Sequence, residues 1–492
     1  MFLHTVVFVV IILYFCYIAV KKPRNFPPGP PWMPVLGSLP YLHSFSKRVK
    51  NSQHVVLQQM CKHWNTKVLG LKCGEQLIIA VCSYPVIKKI LDDETYNARP
   101  KNFFGELRTM GTKPGITSAE GAVWVEQKRF IMRHLRDVGL GKASMEIKIR
   151  EELEDTFQYI NQNNQKVEIG KLLQHAVINL IWFLTAGKRI QKNDTQFLRL
   201  LNLLERRSKA FDMSGGALSH FPWMRFIMPE KIGYNLIKKL NSELKSFLME
   251  TIEDHQKTWV QGNETDLMYL FIGEMRTQTD VSTNFTSDQL LMICLDLFVA
   301  GAHSTSSTLD YAFLMMLTHY DIQEKVQKLL DESFSKDQEV QYADRHKIPY
   351  IQAVLLEVKR YCSVVPIASR RVTKSTVLEE YDIPKDTTVL INLHAVLMNK
   401  DVWGDPDVFR PERFLDENGQ ICIAEEFLPF SMGKRRCLGE PFAKTFLFIF
   451  FVEILRKYSI LPSLDTETPS IKPQQGIVSL PQKYTAEFRL RH

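Results

Sequence analysis

Phe430-Ser431-Met432-Gly433-Lys434-Arg435-Arg436-Cys437-Leu438-Gly439 is a short frame built around one cysteine. Three basic side chains precede Cys437, a setting expected to ease ionisation to the thiolate, the metal-binding form of the residue. Gly433 and Gly439 permit the backbone angles of a tight loop and its exit, and let a flat ligand approach closely. The run that follows, Pro441-Phe-Ala-Lys-Thr-Phe-Leu-Phe-Ile-Phe-Phe-Val452, reads as a buried helix. Cys437 is therefore expected just ahead of a helix N-terminus, where free N–H groups and the positive dipole end stabilise anionic sulfur. A buried structural thiol is the ordinary fate of a lone cysteine. That alternative leaves Phe430, both glycines and Arg435 without a reason, whereas a site for iron uses them all.

The frame resembles the Phe-x-x-Gly-x-Arg-x-Cys-x-Gly signature of the cytochrome P450 haem-thiolate monooxygenases, and the resemblance covers nearly the whole chain. It implies haem b (iron protoporphyrin IX) as cofactor, Cys437 as the axial metal ligand, and cofactor contacts from Phe430, Gly433, Gly439 and Arg435, the last to a propionate. An axial thiolate pushes electron density onto iron and favours O–O cleavage. The fold implied is mainly α, with a small β-rich region near the N-terminus and a single large catalytic domain behind a membrane anchor. Helical signals dominate the sequence, and strand-like stretches such as Leu77-Ile-Ile-Ala-Val81 and Thr387-Thr-Val-Leu-Ile391 are short and few.

The chain has 492 residues, 45% of them hydrophobic, enough for a large core, and a net charge of +8. The basic residues are scattered and no nucleic-acid-binding motif is present, so a basic surface suits an anionic membrane face or an acidic redox partner. Eight cysteines include no Cys-x-x-Cys pair, which argues against a zinc site or a disulfide framework and fits a reducing compartment. Asn193, Asn263 and Asn284 open glycosylation sequons that are coincidental if the body is cytosolic.

Thr5 to Val20 is almost wholly apolar and just reaches the length of a bilayer span, followed by Lys21, Lys22 and Arg24. Charges after the apolar run place the body on the cytoplasmic side. A cleaved signal peptide needs the reverse order, with small residues after the core. The expected organisation is an anchor over 1–22, a proline-rich hinge over 23–35 and a haem-binding catalytic domain over 36–492. The hinge carries Phe26-Pro27-Pro28-Gly29-Pro30-Pro31, which disfavours helix and resembles that of microsomal P450s, implying endoplasmic reticulum.

Three further segments resemble haem-carboxylate contacts. Trp124-Val-Glu-Gln-Lys128-Arg129 is similar to a Trp-x-x-x-Arg helix motif, with Lys128 at the arginine position, where it would bind as a point charge without the bidentate fork. In Pro366-Ile-Ala-Ser-Arg370-Arg371, Arg371 falls at a propionate-binding position and Arg370 replaces a usual proline. Each is otherwise a solvated surface charge. Glu357 and Arg360 sit three apart on one helix face, and Arg413 can complete a Glu-Arg-Arg network of structural character.

A long helix is expected from about Ser287 to Leu317, with Thr286 and Gln289 at capping-box spacing. Its centre, Ala300-Gly301-Ala302-His303-Ser304-Thr305, is similar to the family's oxygen-side pattern, but His303 stands where an acid is expected and Ser304 where the key threonine is expected. The hydroxyl run can bond carbonyls four residues back and loosen the helix, and Gly301 adds local weakness. His303, Ser304 and Thr305 are the catalytic candidates. Imidazole titrates near neutrality and can relay protons, although a lone helical histidine is as readily structural.

The substrate should be apolar. Asn102 to Met110, Phe211 to Met228, Phe298, Ala302, Val365, Ile367, Ile477 and Val478 are candidate pocket walls, although each taken singly reads first as core. Phe221-Pro-Trp-Met-Arg-Phe-Ile-Met228 also reads as a stretch that dips into a membrane surface. Arg108 to Thr117 and Arg129 to Gly141 resemble insect microsomal P450s near the methyl farnesoate epoxidases, pointing to an isoprenoid, a hormone-like lipid or a xenobiotic. The implied reaction inserts one oxygen atom from O₂, with NADPH–cytochrome P450 reductase, and cytochrome b5, as partners. The altered His303-Ser304 pair keeps open a haem-thiolate isomerase that rearranges hydroperoxides, and a catalytically silent haem-binding sensor or carrier stands as the non-enzymatic alternative.

Overall fold

The computed structural model describes residues 2–190, 194–210, 216–277, 284–463, 469–474 and 478–491. Helices dominate, and the main core gathers around the long helix, which runs Ser287–Thr318. Its start is capped as the spacing predicts: the Thr286 hydroxyl accepts the Gln289 N–H at 3.2 Å. It is apolar on nearly every side, which is the pattern of a helix enclosed by others. The helices Ile169–Ala186, Tyr234–Thr258, Pro349–Cys362 and Glu440–Lys457 pack against it.

The Ser/Thr run bonds backward as expected. Ser304 donates to the Ala300 carbonyl at 2.7 Å, Ser306 to Ala302 at 2.6 Å and Thr308 to Ser304 at 2.7 Å. Yet the helix continues unbroken through all of them. Gly301 leaves the helix continuous and has a packing reason. A Cβ there would collide with Cδ1 of Ile181 on helix Ile169–Ala186, so the glycine lets two helices approach closely.

The principal sheet has four strands in the order Val68–Cys73, Gln76–Val81, Thr388–Asn392 and Ile367–Arg371. The first pair is an antiparallel hairpin, Ile79 aligns with Val389 in a parallel pairing, and Ala368 opposes Ile391. The β-rich region therefore joins an N-terminal hairpin to strands from far along the chain. Phe26 and Trp32 bury against it, and the Gly70 N–H donates to the Pro28 carbonyl at 2.8 Å, which seats the proline-rich stretch.

Glu357 and Arg360 lie at 0% exposure on helix Pro349–Cys362. Arg360 grips the carboxylate with two hydrogen bonds, Nε to Oε2 at 2.7 Å and Nη2 to Oε1 at 2.8 Å. Arg413 adds Nε to Oε1 at 3.0 Å, completing the network. Helix Phe2–Val20 is exposed along most of its length and is a candidate membrane anchor. The helices Ile169–Ala186 and Ser287–Thr318 are also long and apolar, but most of each is buried inside the protein.

Candidate active site: the cysteine loop, the arginine cluster and the long helix

The cysteine loop closes on itself through the Cys437 N–H, which donates to the Phe430 carbonyl at 3.0 Å. Gly433 has φ 72 and a Cβ there would collide with the Leu91 carbonyl, so only glycine fits. Gly439 is different: its φ is an ordinary −84, and a Cβ would meet open space. Room beside the loop, not backbone strain, is what that position provides. Helix Glu440–Lys457 begins immediately after it, and the N–H groups of Gly439 and Glu440 favour the thiolate of Cys437.

The expectation of easy ionisation is overturned. Burial pushes the Cys437 thiol up from its ordinary value, and this outweighs the loop's help. The basic neighbours are occupied: Lys434 pairs with Glu94, and Arg436 makes two bonds to Glu440 at 2.6 and 2.8 Å. The Arg435 side chain turns inward. Cys437 as a whole is nonetheless exposed.

Arg435 stacks over the Trp124 ring, 4.0 Å from Cζ to centroid, and donates to the carbonyls of Ala119 at 2.6 Å and Asn97 at 3.1 Å. Its Nη1 is buried with no partner. Arg99 and Arg370 each give Nη1 to the Ser369 carbonyl at 2.9 Å, and Arg99 Nε is buried without a partner. Among the described residues none of these three arginines forms an ion pair with a carboxylate. Burial first, then mutual repulsion, pushes Arg370 and Arg435 down to about 9, and burial with the charge of Arg108 pushes Arg99 down to about 10. Cations gathered so closely, two of them buried and the third half-buried, with no carboxylate bonded to any of them, are costly unless an anion neutralises them.

The other predicted contacts sit around this cluster. Lys128 lies over the same Trp124 ring at 4.8 Å and donates to the Lys434 carbonyl at 2.8 Å. Burial, then Arg435, lowers its pKa. Arg371 is committed elsewhere: it bonds Glu120 at 2.6 Å, Asp386 at 2.5 Å and the Arg99 carbonyl at 2.9 Å. The cluster thus contains Arg99 and Arg370, which the sequence reading did not assign. Arg99, in Asn97-Ala-Arg-Pro100, carries no motif. Arg370 was visible only as one of two adjacent strand residues.

On the long helix, Ala300 is exposed although the helix around it is buried, and Ser304 is half-exposed four residues on, on the same stripe. Val365 is also exposed. Thr305 is buried. The His303 Nδ1 lies 3.5 Å from Gln174 Nε2, burial lowers its pKa, and Glu205 opposes that shift. Phe298 and Ala302, expected as pocket walls, are sealed in the core, with Phe298 stacked on Trp182 at 5.7 Å. Phe211 and Ile477 lie outside the described residues. Among those residues no group of three or more His, Cys, Asp or Glu could hold a metal by itself. A lone thiol on an exposed loop residue, an open stripe on a buried helix, and arginines with buried, unsatisfied N–H groups suit a flat, dianionic group that brings most of its metal's ligands with it.

The cytochrome P450 family matches residues 27–488. The chain is 37% identical to the probable cytochrome P450 305a1 of Drosophila melanogaster, over 97% of this chain and 96% of that one. It is 30% identical to the farnesoate epoxidase of Bombyx mori over 97% of both, and 35% identical to human cytochrome P450 2J2 over 94% of this chain and 90% of that one. The chain belongs to the cytochrome P450 family, oxidoreductases that bind haem b through a cysteine thiolate and act as monooxygenases.

Proposed function

We propose that this protein is a membrane-anchored monooxygenase of the endoplasmic reticulum, with an anchor over 1–22 and a catalytic domain facing the cytosol. It acts on an apolar isoprenoid, hormone-like lipid or xenobiotic. The observation that carries the reading is the cluster of Arg99, Arg370 and Arg435, none of them bonded to a carboxylate, the last two buried and the first half-buried with its Nε sealed from solvent. Two propionates would neutralise them and satisfy their orphan N–H groups. Trp124 holds Arg435 in place, Lys128 adds positive charge above the ring, and Arg371 positions its strand through Glu120 and Asp386. Cys437 is the metal ligand, in a loop that Phe430 and Gly433 shape and beside the free space at Gly439.

Bound there, haem supplies O₂ activation and insertion of one oxygen atom into a C–H or C=C bond, with electrons from NADPH through cytochrome P450 reductase. The residues of the long helix prepare that chemistry. Ser304 keeps a hydroxyl on the open stripe, with its proton parked on the Ala300 carbonyl until another acceptor arrives. His303, held by Gln174 and facing the charge of Glu205, can pass a proton along the helix, and Thr305 backs the same turn. Lys434 and Arg436 are well exposed on the cysteine side, where the carboxylates of an acidic redox partner would compete with Glu94 and Glu440 for them. The relative named a farnesoate epoxidase supports an isoprenoid substrate.

The test is the difference spectrum of the reduced protein with carbon monoxide, wild type against Cys437→Ser. A thiolate-type Soret band that the substitution abolishes is the expected result. Haem bound with a histidine-like spectrum, or no haem, would sink the proposal.

A further inference from the structure

Lys359 is a buried charge that neither the fold nor the contacts proposed so far explain. It lies between Glu357 and Arg360 on helix Pro349–Cys362 and is only 9% exposed. Lysine is almost never buried unless it is paired. Yet the Lys359 ammonium makes no hydrogen bond or ion pair among the described residues. It faces the cysteine loop instead. Its Nζ stands 6.0 Å from the centre of the Phe430 ring, and the carbonyl of Phe430 is the one that accepts the Cys437 N–H. A phenyl face offers a cation some attraction, but no neutralising charge.

The nearby carboxylates are engaged elsewhere. Glu357, the one acid on the same helix, is held by Arg360 and Arg413. Glu440 attracts Lys359, but it already bonds Arg436 at 2.6 and 2.8 Å and Lys444 at 2.8 Å. Burial first, then repulsion by Lys444, pushes Lys359 down to about 7, and the attraction of Glu440 does not make up the difference. Three cations, Lys359, Arg436 and Lys444, are thus gathered around one carboxylate beside the cysteine loop. The two propionates are assigned to the arginine cluster, which leaves Lys359 without one. A fixed positive charge of this kind favours whichever state of its surroundings is the more negative. Ionised sulfur is such a state, and the site with one electron added is more so.

We propose that Lys359 raises the reduction potential of the haem iron: its uncompensated charge behind Phe430 favours the reduced, more negative site, and the protein retains it at the expense of stability. The inference rests on Cys437 being the iron ligand.

The test compares full-length, haem-loaded wild type with Lys359→Met, Lys359→Gln and Lys359→Arg at about pH 6, where the ammonium keeps its proton. Spectroelectrochemical titration reads the potential, and urea unfolding reads stability. Lys359→Met and Lys359→Gln are expected to load haem with a normal thiolate band under carbon monoxide. Each should accept the electron about tenfold less favourably, a potential lower by about 59 mV. Lys359→Met should also raise the urea midpoint, because an unpaired buried charge is gone. Lys359→Arg should keep most of the wild-type potential, since the charge stays. Wild-type potentials in the Met and Gln variants would overturn the inference. So would haem loss from both, or a shift in Lys359→Arg as large as in Lys359→Met. A raised KM for the reductase with the potential unchanged would make Lys359 a docking residue and likewise overturn it. A wild type without the thiolate band would instead defeat the assignment of Cys437.

Discussion

Glu357 is fully buried and has both carboxylate oxygens in use. Oε1 takes Arg360, Arg413 and the Arg410 N–H, the last at 2.9 Å, and Oε2 takes Arg360. Arg360 spends its remaining donors on the carbonyls of Leu397 and Pro406, both at 2.9 Å. Glu357→Gln preserves shape but removes the charge opposite two buried guanidinium groups. Breaking one side of a buried pair costs about 3–5 kcal/mol, so the denaturant midpoint should fall accordingly. A loss below about 1 kcal/mol would mean the network holds less than its geometry implies. The network was legible because its spacing and order are local facts: Glu357 and Arg360 on one helix turn, and an arginine in a later Pro-x-Arg segment. The haem-side arginines were only half legible. Adjacent strand residues point to opposite faces, and nothing in the sequence says whether Arg370 or Arg371 faces the cluster. Folding supplies Glu120 and Asp386 to one and leaves the other without a carboxylate. The basic run before Cys437 misled for a similar reason, because Glu94 and Glu440 claim Lys434 and Arg436 only once the chain has folded.

The long helix shows what periodicity reveals and what it hides. Its length, its start at Thr286 and its back-bonded hydroxyls follow from local chemistry. The purpose of Gly301 does not, since a helical glycine reads the same whether it loosens the helix or admits a neighbour. The packing against Ile181 separates the two by mutation. Glycine to alanine in a helix gains about 1 kcal/mol of propensity, while moving the Ile181 terminal methyl off its rotamer costs about 0.5–1.5 kcal/mol. Gly301→Ala alone should therefore leave stability nearly unchanged. In an Ile181→Val background, where the clashing methyl is gone, the same substitution should stabilise by about 1 kcal/mol, measured as the shift in unfolding free energy. Stabilisation of that size in both backgrounds would restore the reading of Gly301 as a point of weakness. The same close crossing explains how Gln174 comes to sit beside His303.

At the scale of the whole molecule, exposed apolar side chains occur along much of the chain, and two segments carry them in runs, the anchor and the stretch from Trp223 to Met228. Helix Phe2–Val20 leaves most of its apolar side chains uncovered. Trp223 is 51% exposed and Phe226 75%, with Ile227 beside them. Arg225 lies between them and stacks on Phe103 and Phe226, a cation placed to meet anionic head groups. The anchor and this patch are linked through the sheet. Lys72 donates to the Ala19 carbonyl at 2.8 Å, while Gly74, in the turn of the same hairpin, abuts the His220 carbonyl. Removing the anchor exposes little core, because that helix buries almost nothing against the body. A chain lacking residues 2–22 should therefore fold and still sediment with vesicles of phosphatidylcholine and phosphatidylserine, held by the second patch. Burying a Phe or Ile side chain is worth about 1.5–3 kcal/mol, and about 1.4 kcal/mol is tenfold in partitioning. Phe226→Asp combined with Ile227→Ser in the truncated chain should then lower vesicle binding by roughly a hundredfold or more, with the carbon monoxide spectrum unchanged. A truncated chain that stays wholly in the supernatant would leave the anchor as the sole attachment. One that sediments equally well after both substitutions would assign the residual binding to scattered positive charge, which high salt would then abolish.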